Sequence, residues 1–145
     1  MSGVVVGIDG SHNASHALEW AMTEAGMRHA DLTVITINSV IAGYWSRQPV
    51  TLPSDDEKVA EARELAETAV AKIAADLGDR QPASVRVVAE SGFPAEALIE
   101  ASQDADLIVV GSRGGGGFAA LSVGSITNQV VHHAKCPVVV VPAGR

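Results

Sequence analysis

Short apolar runs alternate with longer segments of helical periodicity along the whole chain. Five runs of apolar and mainly β-branched residues predict strands that are covered on both faces: Val4–Ile8, 32–37, 85–89, 107–110 and Val138–Val141. Apolar stripes of 3.6-residue period predict four helices between the strands. The first is capped by Ser11 or Asn13 and ends near Arg28, and the second is Asp55–Leu77. The third is a short helix from the turn at 92–95 through Ser102, and the fourth is Ser125–His133. Every connection can hold a helix, so the strands are predicted to be parallel with right-handed crossovers.

The glycine-rich stretch 111–124 lies between the fourth and fifth predicted strands. Gly111, Gly114, Gly124 and Ser125 give the spacing G-x2-G-x9-G-S. Glycines let a phosphate approach bare backbone N–H groups, and a helix start adds free donors with a partial positive charge. The alternative is a flexible surface loop. The stretch follows a buried strand and ends on a helix start, where open α/β sheets bind ligands, so we favour an anion site.

Asp9 follows the first predicted strand directly, in the run Asp9-Gly10-Ser11. A carboxylate at the carboxyl end of a buried strand can accept hydrogen bonds from sugar hydroxyls or hold a metal ion. It can equally form a turn with Gly10. Neither a Walker A motif nor an opening G-x-G-x-x-G fingerprint is present.

Two stretches carry a family resemblance: VVVGIDGS near the start, and GSRGGGGFAALSVGSITNQVVHHAKCPVVVV near the end. Together they resemble a universal stress protein domain of the ATP-binding type, whose hallmark is this glycine spacing. The resemblance spans Val4 to Val141. It implies one domain, 1–145, with an α/β fold: a Rossmann-like (adenine nucleotide alpha hydrolase-like) three-layer sandwich. Its five-stranded parallel sheet would have the order 3-2-1-4-5, which places strands one and four side by side.

The resemblance also implies a ligand, ATP with Mg2+, and a set of nucleotide-binding residues. By position, Asp9 and Gly111 would meet the ribose, and backbone groups at Ser39 and Val40 the adenine ring. The phosphate end would comprise Gly114, Gly124, Ser125 and the N–H of Ile126, with Val110 beside them; Arg113 would neutralise phosphate charge or point outward. The family commonly dimerises through its last strand, so we expect a homodimer through Val138–Val141.

One departure from the family pattern concerns phosphate affinity. Members often carry a basic residue directly after the second motif glycine and another shortly beyond, where this chain has Gly115, Gly116 and Ala119. A charge-assisted contact contributes roughly 1.5–3 kcal/mol, so its loss would cost about one to two decades in affinity. Weak ATP binding, or a preference for a ligand with fewer phosphates, is the expected consequence.

Composition narrows the function classes. The 145 residues suit one domain, and the net charge of −7 argues against broad binding to nucleic acid or anionic membranes. Cys136 is the single cysteine; it excludes an internal disulfide and is interpreted as a packed thiol. The chain shows no basic, apolar leader, no run of 18 apolar residues and no internal repeat, so we expect a single cytoplasmic domain without a tandem copy.

Three functions stay open at this point. The first is a nucleotide-binding sensor or regulatory module. The second is a slow Mg-dependent ATP hydrolase, although no catalytic lysine or general base is evident. The third is a nucleotide-free homodimeric interaction protein. Tyr44 and Trp45 would either close over a base or cover the core edge or a dimer surface, while His12 and His16 lack a third metal ligand nearby.

Overall fold

A computed structural model gives the fold and describes residues 3–8, 12–39, 55–112 and 124–142. The elements follow the chain in this order: β1 Val4–Ile8, α1 His12–Met27, β2 Asp31–Ser39, α2 Asp55–Leu77, a 3-10 turn Gly78–Arg80, β3 Ser84–Gly92, α3 Pro94–Ala101, β4 Leu107–Gly111, α4 Ser125–His133 and β5 Val138–Val141. The predicted alternation of strands and helices is confirmed.

The strands form one parallel sheet in the order β3-β2-β1-β4-β5, as the family resemblance implies. Val4 is aligned with Leu32 of β2 on one side and with Leu107 of β4 on the other. The chain therefore leaves β1 in one direction along the sheet and later returns to its other side. This reversal opens a crevice between the carboxyl ends of β1 and β4.

Two apolar clusters hold the helices against opposite faces of the sheet. Leu18 and Met22 of α1 pack with Val6, Val34 and Val109 on one face, where α2 also lies. On the other face, side chains of α3 and α4 pack against alternate strand positions such as Val5 and Ile108. The central strands are buried from both sides, which explains why their sequences are continuous apolar runs instead of alternating ones.

Element ends differ from the sequence prediction mainly on β2 and β3. Both strands continue to Ser39 and Gly92, which are paired with each other, beyond the predicted ends at 37 and 89. The added residues are mostly polar and do not form an apolar run. Only the hydrogen-bonded pairing of the two strands in the structure shows that they belong to strands. Likewise Gly111, predicted to open the glycine-rich loop, is the last residue of β4 because it is aligned with Val141 of β5.

Gly26 shows how tightly α1 packs against the 3-10 turn Gly78–Arg80, which follows α2. A Cβ atom built at this buried position would overlap the backbone carbonyl oxygen of Arg80, which cannot rotate away as a side chain would. Glycine is therefore required here for close approach, although it is a poor helix former.

We expect Gly26→Ala to lower the free energy of unfolding by about 1–3 kcal/mol. Alanine favours a helix by about 1 kcal/mol over glycine, but the overlap forces two backbone segments apart. Thr23→Ala, at an exposed position of the same helix, is the control and should be neutral or slightly stabilising. Urea unfolding followed by circular dichroism measures both, and an equal gain for the two variants would contradict the close approach.

Candidate functional site at the carboxyl edge of the sheet

The crevice between β1 and β4 contains two of the predicted site residues at its rim. Val110 is 3% exposed and packs into the core, and Gly111 ends β4 in a half-buried position. Ile8 ends β1, and Asp9 is the next residue in the sequence. Because β1 and β4 are neighbours, their carboxyl ends lie beside one crevice.

Main-chain hydrogen bonds bring together the two ends of the glycine-rich segment. The N–H of Gly124 donates to the carbonyl of Ser112 at 2.9 Å, and the N–H of Ser112 donates to the carbonyl of Val141 at 2.8 Å. The hydroxyl of Thr127 donates to the carbonyl of Gly111 at 2.6 Å from a side chain that is 5% exposed. Ser112 and Gly124, the described residues on either side of 113–123, are thus held together beside the crevice.

The start of α4 lies at this junction and presents main-chain donors that have no acceptor within the helix itself. Gly124 is the N-cap residue with extended backbone and no side-chain hydrogen bond to the helix, and its carbonyl accepts the first helical bond from Asn128. Helix geometry leaves the N–H groups of Ser125, Ile126 and Thr127 without an acceptor inside the helix. Such a start carries a partial positive charge and suits an anion.

The acidic residues of the helix starts are distributed unevenly. The first turns of α1 and α4, which follow the adjacent strands β1 and β4, contain no acidic residue. By contrast, α3 begins with Pro94, which has no N–H, and has Glu96 in its first turn, while α2 begins with Asp55, Asp56 and Glu57. The two helix starts next to the crevice are therefore the ones that can accept an anion without repulsion from their own first turn.

The paired ends of β2 and β3 form a raised edge next to the crevice. Thr36 is aligned with Ile8 at the end of β1, and β2 continues three residues further to Ser39. At about 3.3 Å per residue this is roughly 10 Å of extra strand. The predicted contact between the backbone near Ser39 and a base thus involves the part of β2 that extends above the floor of the crevice.

Some of the predicted site residues lie outside the described part of the chain. These are Asp9, Val40, Arg113 and Gly114, and the aromatic pair Tyr44 and Trp45. Within the described part, the structure brings Val110, Gly111, Gly124, Ser125 and Ile126 together, with Ser39 on β2, the strand beyond β1.

The sequence does not predict the parts that Thr127 and Ser112 play at the site. A threonine two residues into a predicted helix, after a glycine N-cap, signals a hydroxyl free to bond outside the helix. That signal does not identify Gly111 as the acceptor. Ser112 acts through its main chain, so its side chain gives no signal at all.

Other reactive groups in the described residues have structural roles. Burial raises the pKa of the Cys136 thiol, with a smaller rise from Asp106 and an opposing backbone hydrogen bond, so the thiol stays protonated at neutral pH. It packs beneath the cluster on the α3 and α4 side, as predicted. Among residues 3–8, 12–39, 55–112 and 124–142, no three His, Cys, Asp or Glu side chains are grouped to hold a metal ion.

A family model for the universal stress protein family matches residues 1–142. The chain belongs to the universal stress protein family. A universal stress protein of Mycobacterium tuberculosis is 32% identical over 139 residues, which cover 96% of this chain and 47% of the relative. The chain therefore spans about half the length of the curated relatives it matches.

Solved structures of universal stress proteins share the fold. The protein UspA from Lactobacillus plantarum superposes with a TM-score of 0.74 at 24% identity, over 97% of each chain. Another universal stress protein, solved in complex with cAMP, has a TM-score of 0.67 at 26% identity and covers 99% of this chain and 98% of its own. The five-stranded sheet of this universal stress protein is thus the fold of the family.

We expect Thr127→Val to destabilise the protein by about 1–3 kcal/mol, because it leaves the half-buried carbonyl of Gly111 without its hydroxyl donor at nearly constant volume. Thr127→Ser keeps the donor and loses one methyl group, which costs about 0.8 kcal/mol. Thermal or urea unfolding compares the two variants. A smaller loss for valine than for serine would show that the hydrogen bond contributes nothing.

Proposed function

We propose that this universal stress protein binds ATP with Mg2+ and acts as a sensor or regulatory module in a stress response. The observation that carries the proposal is the uncapped start of α4 at the carboxyl end of β4. There Ser125 and Ile126 begin the helix directly after Gly124, whose N–H donates to the carbonyl of Ser112. Donors of this kind, without acidic neighbours in the first turn, suit a phosphate group.

Each predicted site residue has a place in this proposal. The phosphates would be held by Gly114, Gly124, Ser125 and Ile126, with Arg113 as the counter-charge. The ribose would lie near Asp9 and Gly111, over Val110, and the adenine ring near Ser39 and Val40. The relative solved with cAMP supports an adenine nucleotide as the ligand class.

Magnesium would be bound mainly through the nucleotide. Mg2+ prefers oxygen ligands and keeps several waters, so phosphate oxygens plus one carboxylate are a sufficient set. Asp9 is the carboxylate that the sequence places next to the crevice. When bound, the ion would neutralise phosphate charge. This chain especially needs that neutralisation, because it has Gly115 and Ala119 where family members often carry basic residues.

A binding role is favoured over dedicated turnover. Within the described residues the crevice rim presents backbone groups, a buried threonine and small side chains, none of which is a general base aimed at a γ-phosphate. We expect phosphate release from ATP to stay near the rate without protein. Metal-stimulated release that Asp9→Ala abolishes, followed with a phosphate assay, would instead favour the slow hydrolase.

We also propose that residues 1–145 form a single domain and that two copies form a homodimer in which the strand Val138–Val141 of one copy pairs with the same strand of the other. The proposed location is the cytoplasm. No helix in the described ranges is long and apolar enough to cross a bilayer. The third function, a nucleotide-free interaction protein, would use the same dimer, and the missing basic residues count in its favour.

We expect ATP with Mg2+ to bind nucleotide-stripped protein in a calorimetric titration, and Gly114→Val to remove the binding. A second variant tests the start of α4: Ser125→Glu places a negative charge at the exposed first helical position, where it favours the helix but repels phosphate. We expect at least tenfold weaker binding, equivalent to about 1.4 kcal/mol.

Thr68→Glu is the matched control, because it adds the same charge at an exposed position of α2, over β2 and β3. It should bind ATP as the unmodified protein does. Equal affinity of Ser125→Glu and Thr68→Glu would contradict the phosphate site at α4. Absence of heat from the folded parent protein would favour the nucleotide-free interaction protein.

A further inference from the structure

Helix α3 begins at the carboxyl edge of the sheet, on the same face as α4. It lies over β2 and β1, where its Leu98 side chain packs against Gly7. At the opposite edge, the main-chain N–H of Lys135, just after α4, donates at 2.9 Å to the buried hydroxyl of Ser102, just after α3. The two helices therefore run side by side in the same direction, with their ends held together.

The starts of α3 and α4 lie at about the same level along the helix axes. The helices have 8 and 9 residues, so joined ends imply starts that differ by about one residue, roughly 1.5 Å. Helices in contact are about 8–10 Å apart. The N-cap residues, Phe93 of α3 and Gly124 of α4, are therefore separated by roughly that distance, which one nucleoside can span.

Phe93 is a large apolar residue at a position where helices favour a small polar one. Its carbonyl accepts the first helical hydrogen bond, from Ala97 at 3.1 Å, but its side chain makes no cap hydrogen bond. The rest of the helix start is favourable. Pro94 lies at the first helical position and Glu96 at the third, where a capping box has its acidic member. Only the serine or threonine at the N-cap is missing.

Core packing does not account for the phenylalanine either. Its side chain is 60% exposed, whereas Ala97, one turn later on the same side of α3, packs in the apolar cluster of this face. The ring thus lies beyond the last buried layer, at the carboxyl edge. An exposed apolar side chain is ordinary by itself. One that takes the place of a helix cap beside a ligand crevice indicates a function, because such sites are where local preferences are broken.

The end of β3 fixes where Phe93 lies relative to the proposed base. Gly92, the last residue of β3, is aligned with Ser39 at the end of β2. Its φ of +150° is a conformation that residues with a side chain rarely adopt, so the turn into α3 is set at this glycine. Phe93 therefore directly follows the raised pair of strand ends.

We propose that Phe93 stacks on the base of the bound nucleotide. This contact rests on the nucleotide site proposed above and names the side chain that holds its base. A nucleotide with its phosphates at the start of α4 and its ribose over Gly111 extends its base towards β2, where α3 starts. An aromatic ring there presents a flat apolar face that accepts any base, and purines most strongly because their rings are larger.

Stacking shifts the source of affinity from the phosphates to the base. This chain has Gly115 and Ala119 where family members often carry basic residues. Stacking of one base on an aromatic side chain changes affinity by about 5- to 150-fold, which is comparable to the loss expected from a missing charge-assisted contact. Nucleotide affinity in this chain therefore depends on the base at least as much as on the phosphates.

Phe93→Ser separates a ligand contact from a structural role. Serine completes the capping box with Glu96 and offsets the small apolar area lost, so the midpoint of thermal unfolding should stay within a few degrees of the parent protein. Loss of a core phenylalanine would instead lower it by about ten degrees or more. We expect Phe93→Ser to bind ATP with Mg2+ about 5- to 150-fold more weakly in calorimetric titration, and Phe93→Trp to bind as the parent does.

Two controls isolate the base. Leu65→Ser changes a side chain that is 63% exposed on α2, on the other face of the sheet, and should leave ATP binding unchanged. Inorganic tripolyphosphate with Mg2+ carries the phosphates without a base, so Phe93→Ser should bind it as the parent protein does. An equal loss for ATP and tripolyphosphate would show that the variant disturbs the phosphate end, and would overturn the stacking contact.

Proton NMR of the bound nucleotide reports the stacking itself. The ring current of an aromatic side chain shifts protons that lie over its face to higher field. We expect the carbon-bound ring protons of adenine to lie at higher field in the complex with the parent protein than in the complex with saturated Phe93→Ser.

The outcomes separate the stacking contact from the nucleotide site beneath it. ATP affinity and adenine proton shifts that Phe93→Ser leaves unchanged would overturn the contact and leave the site in place. A folded parent protein that binds neither ATP nor tripolyphosphate would overturn both. Weaker ATP binding by a stable Phe93→Ser, with tripolyphosphate binding retained, supports the contact.

Discussion

The structure depends on one meeting point of main chain at Ser112. Its N–H donates to Val141 on the edge strand, and its carbonyl accepts from Gly124 at the start of α4. A single residue therefore continues the β4–β5 pairing and fixes the helix that follows. The hydroxyl of Thr127 adds a third bond from inside that helix to Gly111. Together these contacts hold the start of α4 beside the carboxyl ends of β4 and β5.

One residue, Val141, belongs to both of the surfaces for which we propose a partner. Val141 accepts the hydrogen bond from Ser112 with its carbonyl, and it is also the last residue of the edge strand through which we propose the homodimer. The proposed phosphate end and the proposed dimer edge thus share the end of β5. A strand of four valines can serve both because its backbone is fixed by β4 and its side chains divide between the two core clusters.

Hydrophobic periodicity predicted most of this fold because parallel strands buried on both faces read as unbroken apolar runs. The bounds of β1, α2, α4 and β5 follow from the sequence, since a sharp change in polarity marks each end. Periodicity alone does not give the strand order, which came from the family resemblance. It also does not show the polar ends of β2 and β3, the hydrogen bond from Thr127 to Gly111, or the hydrogen bond that Arg63 of α2 donates to the carbonyl of Val87 on β3. All of these depend on which segments become neighbours.

The acidic composition is compatible with an anion site because charge acts locally. At physiological salt, interactions between exposed charges fall off over about 8 Å, so most of the net charge of −7 is not felt at the crevice. What matters there is the first turn of each adjoining helix, and neither α1 nor α4 has an acidic residue in it. Acidic residues are placed instead at the starts of α2 and α3, where they stabilise helices away from the β1–β4 crevice. The distribution of carboxylates among the helix starts therefore carries more information about the ligand than their number does.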